Sequence, residues 1–466
     1  MRGKLRSFAG KLFSCFLFFS SFSALQAQRQ VVAIPAIEKA LAENKLAEAE
    51  ALVQQQVDRF FAEKRADSLN HYIFYTGKIE QLRNGAESGV KKLTALVNRI
   101  KTLSPPPATL RQTWLEAGEY FGFAGKINLA YNANTEALQQ TAAMPGKTPA
   151  QLGLIESNLG TFAQRMGNIG LSEQHQRRAF QYRLSDPTTD AESLYVSYNN
   201  MGSILYYASK LDSALLFFNK AIETVKKTEP TPVNQYYRPA LVLNNIAGIY
   251  SLLGRSTEAI EALKTSILYL KNFIASKEPH LKKSSAVSLQ YEATDNLAGI
   301  YKELGNYRQA QDLLLHSYEQ KKAALDKGDP AIFISQVLLG QLYYAMKDHD
   351  KARRFLAEGL EAISKADGDH TFWKADACGT LALLHDERGE NEEAALYYEK
   401  ADALYEASLQ GDYDNIYLEF ISNAALFYAE NKNPAKALAR AKKAYDYIAK
   451  TQGTETLSAS YQLLNL

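Results

Sequence analysis

The sequence predicts an all-α protein, a right-handed α-solenoid of about ten antiparallel helix-pair repeats. Two observations carry that prediction. Small residues recur about every 42 positions, at Gly77, Gly118, Gly160, Gly202, Ala247, Ala298, Gly340, Ala382 and Ala425. Twelve residues after each stands a second small residue: Gly89, Ala130, Ser172, Ala214, Ala259, Ala310, Ala352, Ala394 and Ala437. A fixed period of this length marks stacked supersecondary units, not a single saturating core. Composition agrees. Ala, Leu, Glu, Lys, Gln and Arg dominate the long segments and alternating Val, Ile and Thr runs are scarce, which favours helix over strand.

Residues 1–27 come first and read differently. Arg2, Lys4, Arg6 and Lys11 precede the apolar stretch Leu12–Phe22, and small residues close the segment at Ala27. That order is a secretory signal peptide, too short for a comfortable membrane span; an uncleaved anchor is the alternative. The expected location is therefore exported, periplasmic or secreted. The segment carries four positive charges and no negative ones, so the remaining chain has a net charge of −2. No broad basic surface for nucleic acid is indicated. Only Cys378 of the two cysteines remains after processing, so no internal disulfide is available and stability must come from packing.

Residues 28–150 hold divergent repeats. Ile37 with Ala49 is a weaker first unit, Glu80 stands where later units have Tyr or Leu, and Gly89 replaces Ala. Residues 151–450 hold well-defined repeats. In Asn296–Leu314, Leu297, Ile300, Tyr301 and Leu304 fall at helical spacing and make one apolar face. Gly305-Asn306 supplies the turn, and Ala310, Leu313, Leu314 and Tyr318 make the apolar face of a second helix. Ala298 and Ala310 are small because the two helices cross there. Prolines at Pro105–Pro107, Pro145, Pro187, Pro230, Pro279 and Pro330 are expected at helix boundaries. Residues 451–466 read as the start of a further repeat, cut short, with Asn465 where earlier units have asparagine.

This helix–turn–helix pattern resembles the tetratricopeptide repeat over residues 37–466. The longer unit, with Asn-Asn-Ile-Ala at 244–247 and Asp-Asn-Leu-Ala at 295–298, is similar to the kinesin-light-chain-like subgroup. The resemblance implies a protein-interaction scaffold that binds an extended peptide or partner protein on its concave face. It extends to the arrays that precede the peptidase domain of exported bacterial CHAT-type proteins, which implies the recognition or regulatory part of a longer protein. A sensor module of a membrane-bound histidine kinase and a stand-alone secreted scaffold are the alternatives.

The residues two before each small position include Asn158, Asn200, Asn245, Asn296 and Asn423. An inward asparagine offers a donor and an acceptor, so it can bond a peptide backbone without reading side chains. The resemblance implies that role for these five; bonding neighbouring repeats is the other reading. The relatives that grip a C-terminal carboxylate need Lys or Arg one turn earlier, where this chain has Leu154, Val196, Leu241 and Glu292. Tyr206, Tyr207 and Tyr344 add aromatic surface to the expected peptide-binding face. Late units place Asp376, Asp386, Glu387, Glu419 and Glu430 there, and residues 331–466 carry a net charge of −7. A face tyrosine-lined early and acidic late fits a ligand of apolar, then basic, character; packed tyrosines and solvated acids are the alternative.

No catalytic, cofactor or metal residue is assigned. The seven histidines are scattered, with no paired cysteines or histidines at metal spacing and no phosphate-binding glycine loop. The expectation is a non-enzymatic module with no cofactor, whose partner is a protein or peptide, with no nucleic acid and no membrane contact beyond the signal peptide.

Overall fold

A computed structural model describes residues 34–277, 283–366, 370–409, 413 and 415–452. The proposed signal peptide, Pro279 and the C-terminal segment from 453 lie outside the described residues. All regular structure among the described residues is helical.

The described residues form two compact units, divided between Arg238 and Pro239. The first unit contains α1 (Ile34–Ala42) with α2 (Leu46–Ala62), and α4 (Ile73–Asn84) with α5 (Ala86–Thr102), α4 being preceded by the short α3 (Ala66–Leu69). It continues with α6 (Pro107–Phe123) and α7 (Ile127–Ala143), α8 (Pro149–Arg165) and α9 (Ile169–Ser185), and α10 (Ala191–Tyr207) and α11 (Leu211–Val225). The second unit contains α12 (Arg238–Leu252) from its second residue onward and α13 (Ser256–Ala275), α14 (Lys283–Glu303) and α15 (Tyr307–Ala324), and α16 (Pro330–Ala345) and α17 (His349–Lys365). It ends with α18 (Thr371–Glu387) and α19 (Asn391–Leu409), and α20 (Asn415–Glu430) and α21 (Pro434–Gln452). Each repeat is thus a first helix, a tight turn and a second helix, as the period requires.

The small anchor residues are small for a steric reason. A Cβ on Gly202 would lie 2.7 Å from the Phe218 ring, and one on Gly340 would lie 2.6 Å from Leu356. In both repeats the obstacle stands sixteen residues on, over the helix crossing. The alanine anchors Ala247, Ala298 and Ala382 are fully buried, as are Ala214, Ala259, Ala310, Ala352 and Ala394 at the second small position. Close-packed crossings leave no room for a larger side chain.

Seven residues after the anchor the backbone turns left-handed. Gly305 has φ 76°, and the following amide, Asn306 N–H, donates to the Tyr301 carbonyl at 2.8 Å. This caps the first helix and releases the chain into the second. Ser209, Lys347 and Lys432 hold the same conformation without being glycine, at φ 57°, 64° and 57°.

The divergent early repeats also have physical explanations. Gly77 and Gly89 both make room for Tyr120 of the next repeat: a Cβ on Gly89 would meet its hydroxyl and a Cβ on Gly77 its ring. Glu80 is buried but well paired, accepting from Ser88 and Asn84 at 2.6 Å and from Lys92 at 3.0 Å. The Ser88 bond leads these contacts in holding its carboxyl down at about 2.

Among the described prolines of the expected set, Pro107 and Pro330 each open a helix, and Pro105, Pro145, Pro187 and Pro230 lie between helices. The wide spacing from Gly202 to Ala247 accommodates a π-helical turn, Val233–Tyr237, just before Pro239. Pro239 has no amide hydrogen to continue a regular ladder, so the chain reaches it through a widened turn.

Candidate functional site

Positions six before, two before, one after and five after an anchor are spaced by four, three and four residues. On a helix that spacing makes a single stripe, on the side away from the anchor. The stripe carries every asparagine, and most of the late acids, singled out by the sequence.

The asparagines two before the anchors are not equivalent. Asn200 Nδ2 donates to Ser157 Oγ of the preceding repeat at 3.1 Å. Asn296 Nδ2 points toward Asn244 Oδ1 of the preceding repeat at 3.4 Å. Asn158 Nδ2 donates to Asn134 Oδ1 at 3.1 Å. Asn245 differs: it is 8% exposed, and its Nδ2 has no hydrogen-bond partner. Asn423 is half-buried on α20.

The tyrosines take two arrangements. Tyr206 is buried and meets the more exposed Tyr207 edge-on, with ring centroids 5.5 Å apart. Tyr344 is half-buried, and its hydroxyl donates to Glu387 at 2.7 Å. Burial first, and then that carboxylate, push its hydroxyl well above the ordinary tyrosine range. Lys347 also donates to Glu387, at 3.0 Å.

Two stripe residues that sequence reasoning did not single out stand one after an anchor. Thr161 is buried with Oγ1 unpartnered, and Gln341 is buried with Oε1 unpartnered. Gln341 Nε2 donates to Asp376 at 2.6 Å, which fixes the carboxamide and leaves its oxygen without a donor. Buried polar atoms normally find a partner, so these orphans need an explanation.

The acids of the second unit lie in unusual surroundings. Glu292 is pushed up to about 8, chiefly by burial; Asn244 Nδ2 donates to it at 3.1 Å and opposes the shift. Glu303 is an exposed side chain, yet desolvation by the neighbouring protein pushes its carboxyl up to about 7. The charge of Glu419, three repeats later, raises it further, and Lys302 opposes the shift. Glu419 is also raised by desolvation.

No group of three or more His, Cys, Asp or Glu residues among the described residues is placed to hold a metal ion. Cys378 is buried, and burial pushes its thiol up to about 11, which suits a packing residue and not a nucleophile. No described helix is long and apolar enough to cross a membrane.

Stacked helix pairs with small residues at each crossing define a helical repeat protein of the interaction-scaffold kind. The chain carries tetratricopeptide repeats: that family's profile matches residues 151–227, 290–365 and 332–407, and a second tetratricopeptide profile matches 240–269. No curated protein matches the chain in sequence. Solved structures share its fold. The apo form of the quorum sensor NprR from B. thuringiensis is 14% identical over 89% of this chain and 97% of its own, with a TM-score of 0.52. Aspartyl phosphate phosphatase F from Bacillus subtilis is 14% identical over 87% and 96%, with a TM-score of 0.51. A Rap protein complexed with Competence and Sporulation Factor is 11% identical over 88% and 99%, with a TM-score of 0.51. At these identities the likeness is one of fold.

Proposed function

We propose that the stripe of first-helix residues in each unit is a concave binding face for an extended peptide or a partner protein, and that the chain works by recognition. The observation that carries this reading is the set of orphaned polar atoms on the stripe: Thr161 Oγ1, Asn245 Nδ2 and Gln341 Oε1. A donor and two acceptors, all buried and lacking partners, are what a bound backbone would satisfy. A Rap protein of similar fold has been solved with a factor bound, which fits a recognition role at the level of fold alone.

Random peptides displayed on phage, selected on the full chain, test the reading. A selected peptide should bind Asn245→Ala about tenfold more weakly than the parent chain, the loss of one or two buried hydrogen bonds. The melting temperature should hold, because that side chain's Nδ2 has no partner to lose. Selected peptides that bind the variant unchanged would overturn it.

We also propose that this recognition takes place outside the cytoplasm. The basic, apolar and small-residue order of residues 1–27 supports export. Mass spectrometry of protein from the native host should find a mature terminus near Gln28; intact Met1 in a soluble cytoplasmic pool would contradict it.

A further inference from the structure

Leu82 and Phe123 are large apolar side chains left 53% and 50% exposed, and both stand five after an anchor, on α4 and α6 of the first unit. A single exposed leucine needs no explanation, but a matched pair on one stripe of neighbouring first helices does. The two helices touch at this level. The half-buried Phe74 ring of α4 meets the Phe123 ring with centroids 5.5 Å apart, and the Tyr120 ring stands 6.4 Å from it.

Two cations flank the Phe123 ring, one from the repeat before and one from the repeat after. Lys78, one after the anchor on α4, holds Nζ 5.9 Å from the Phe74 centroid and 5.8 Å from the Phe123 centroid. Arg165, five after the anchor on α8, reaches back to α6, where its Nη1 donates at 3.3 Å to the carbonyl of Gly122, the residue before Phe123. Neither cation makes an ion pair among the described residues. The acids that share the stripe on α6 are not paired with them: Glu119 stands one turn before Phe123 and Glu116 two turns before it, where Gln112 donates to Glu116 at 2.9 Å.

We propose that this patch of the first unit seats an acidic extended peptide, an apolar side chain resting on Phe123 and Leu82 while flanking carboxylates meet Lys78 and Arg165. The assignment rests on the concave-face reading above and gives it a chemical preference. An exposed ring between two cations that lack counter-charges is complementary to an apolar group between two acids. In an extended strand, residues two apart share a face about 7 Å apart, so acids two before and two after the apolar residue reach to either side of the ring. Covering the ring also removes water from around both cations, which strengthens their hold on the carboxylates.

The test is fluorescence anisotropy with the full chain and labelled heptapeptides, acetylated and amidated so that only side chains carry charge. The first has a central leucine, an aspartate two residues to either side and serine elsewhere; the others replace the aspartates by asparagine or by lysine, or the leucine by serine. The leucine–aspartate peptide should bind, and each of the others about tenfold more weakly or not at all. Lys78→Gln/Arg165→Gln should weaken the leucine–aspartate peptide about tenfold, and Phe123→Ser should do the same. Lys91→Gln/Arg177→Gln removes two exposed cations from the second helices of the same unit and should leave binding unchanged. Circular dichroism checks that the variants remain helical. If Lys91→Gln/Arg177→Gln costs as much as the patch variant, the attraction is non-specific and the proposal fails. Equal binding of the asparagine peptide would overturn the acidic preference. If sedimentation finds the parent dimeric and Phe123→Ser monomeric, a second copy covers the patch and the proposal fails. If none of the peptides binds, this proposal falls, and phage-selected peptides that still require Asn245 would leave the concave-face reading standing.

Discussion

Lys321 donates to the Asp295 carboxylate at 2.5 Å, with Lys321 only 3% exposed. The ammonium also donates to Ser335 Oγ at 2.8 Å, and Ser317 Oγ donates to the other carboxylate oxygen at 2.8 Å. The pair ties α14 and α15 to α16 of the following repeat. Arg183 occupies the equivalent place in an earlier repeat: it too stands 23 residues after its anchor, and it donates to Ser197, five residues before the next. Burial lowers the Arg183 guanidinium to about 10. Elsewhere the corresponding positions are apolar, Leu270 and Ala293 in one case and Ile363 and Ala377 in another, all fully buried. A polar junction is met only by a matching partner, so these two contacts help to set the order in which repeats stack.

Removing one member of such a pair leaves the other buried and uncompensated. Lys321→Met should cost about 3–5 kcal/mol in urea denaturation, and Lys321→Met/Asp295→Leu should recover most of that loss. A single variant as stable as the parent would show that the pair is not buried as described.

The anchors predict a contrast between glycines. Gly340→Ala forces a Cβ against Leu356 and should destabilise by about 1–3 kcal/mol. At Gly170, in the first turn of α9, an added Cβ would meet nothing within 4 Å, and Gly170→Ala should stabilise by up to about 1 kcal/mol. Thermal melts of the two variants moving in the same direction would put the repeat register in error.

Turns without glycine offer a gain. Ser209 sits at φ 57°, a conformation that strains a residue with a Cβ. Ser209→Gly should raise stability by roughly 0.5–1 kcal/mol, the strain relieved less the added freedom of the unfolded chain. A loss of stability would show that the Ser209 side chain contributes something the turn geometry does not reveal.

These contrasts show what the sequence makes legible. A helix crossing demands a small side chain, so Gly202 and Ala298 announce it by residue type alone. The turn seven residues later is plain at Gly254 and Gly305 but hidden at Ser209, Lys347 and Lys432, where the same closing backbone bond, such as Lys210 N–H to the Leu205 carbonyl at 2.8 Å, is made over a residue that has a Cβ. The asparagine column is visible as a pattern. Its division into bonded Asn200 and unpartnered Asn245 is not, because partnership depends on the repeat stacked beside it. Lys321 reads as a surface lysine until the stack brings Asp295 and Ser335 around it.

Glu292 predicts a pH dependence. Its folded carboxyl titrates near 8, above the ordinary 4.5, so the folded state binds the extra proton. Its contribution is therefore fully present below about 4.5 and is lost as pH rises toward 8. The charged groups around it are Asp295, which reinforces the shift, and Lys321, which opposes it. Glu292→Gln keeps an acceptor for Asn244 and removes the titration. It should be about 1–3 kcal/mol more stable than the parent at pH 8.5 and nearly equal to it at pH 5. The same gain at both pH values would indicate a packing effect instead.

Binding along the first-helix stripe is best decided by amide hydrogen exchange of the full chain, with and without a peptide selected on it. Bound peptide should slow exchange in first helices, α10 in the first unit or α12, α14 and α16 in the second, and leave α11, α13, α15 and α17 unchanged. Protection centred on the second helices would place the binding surface on the opposite side of the repeats and contradict the proposed recognition face.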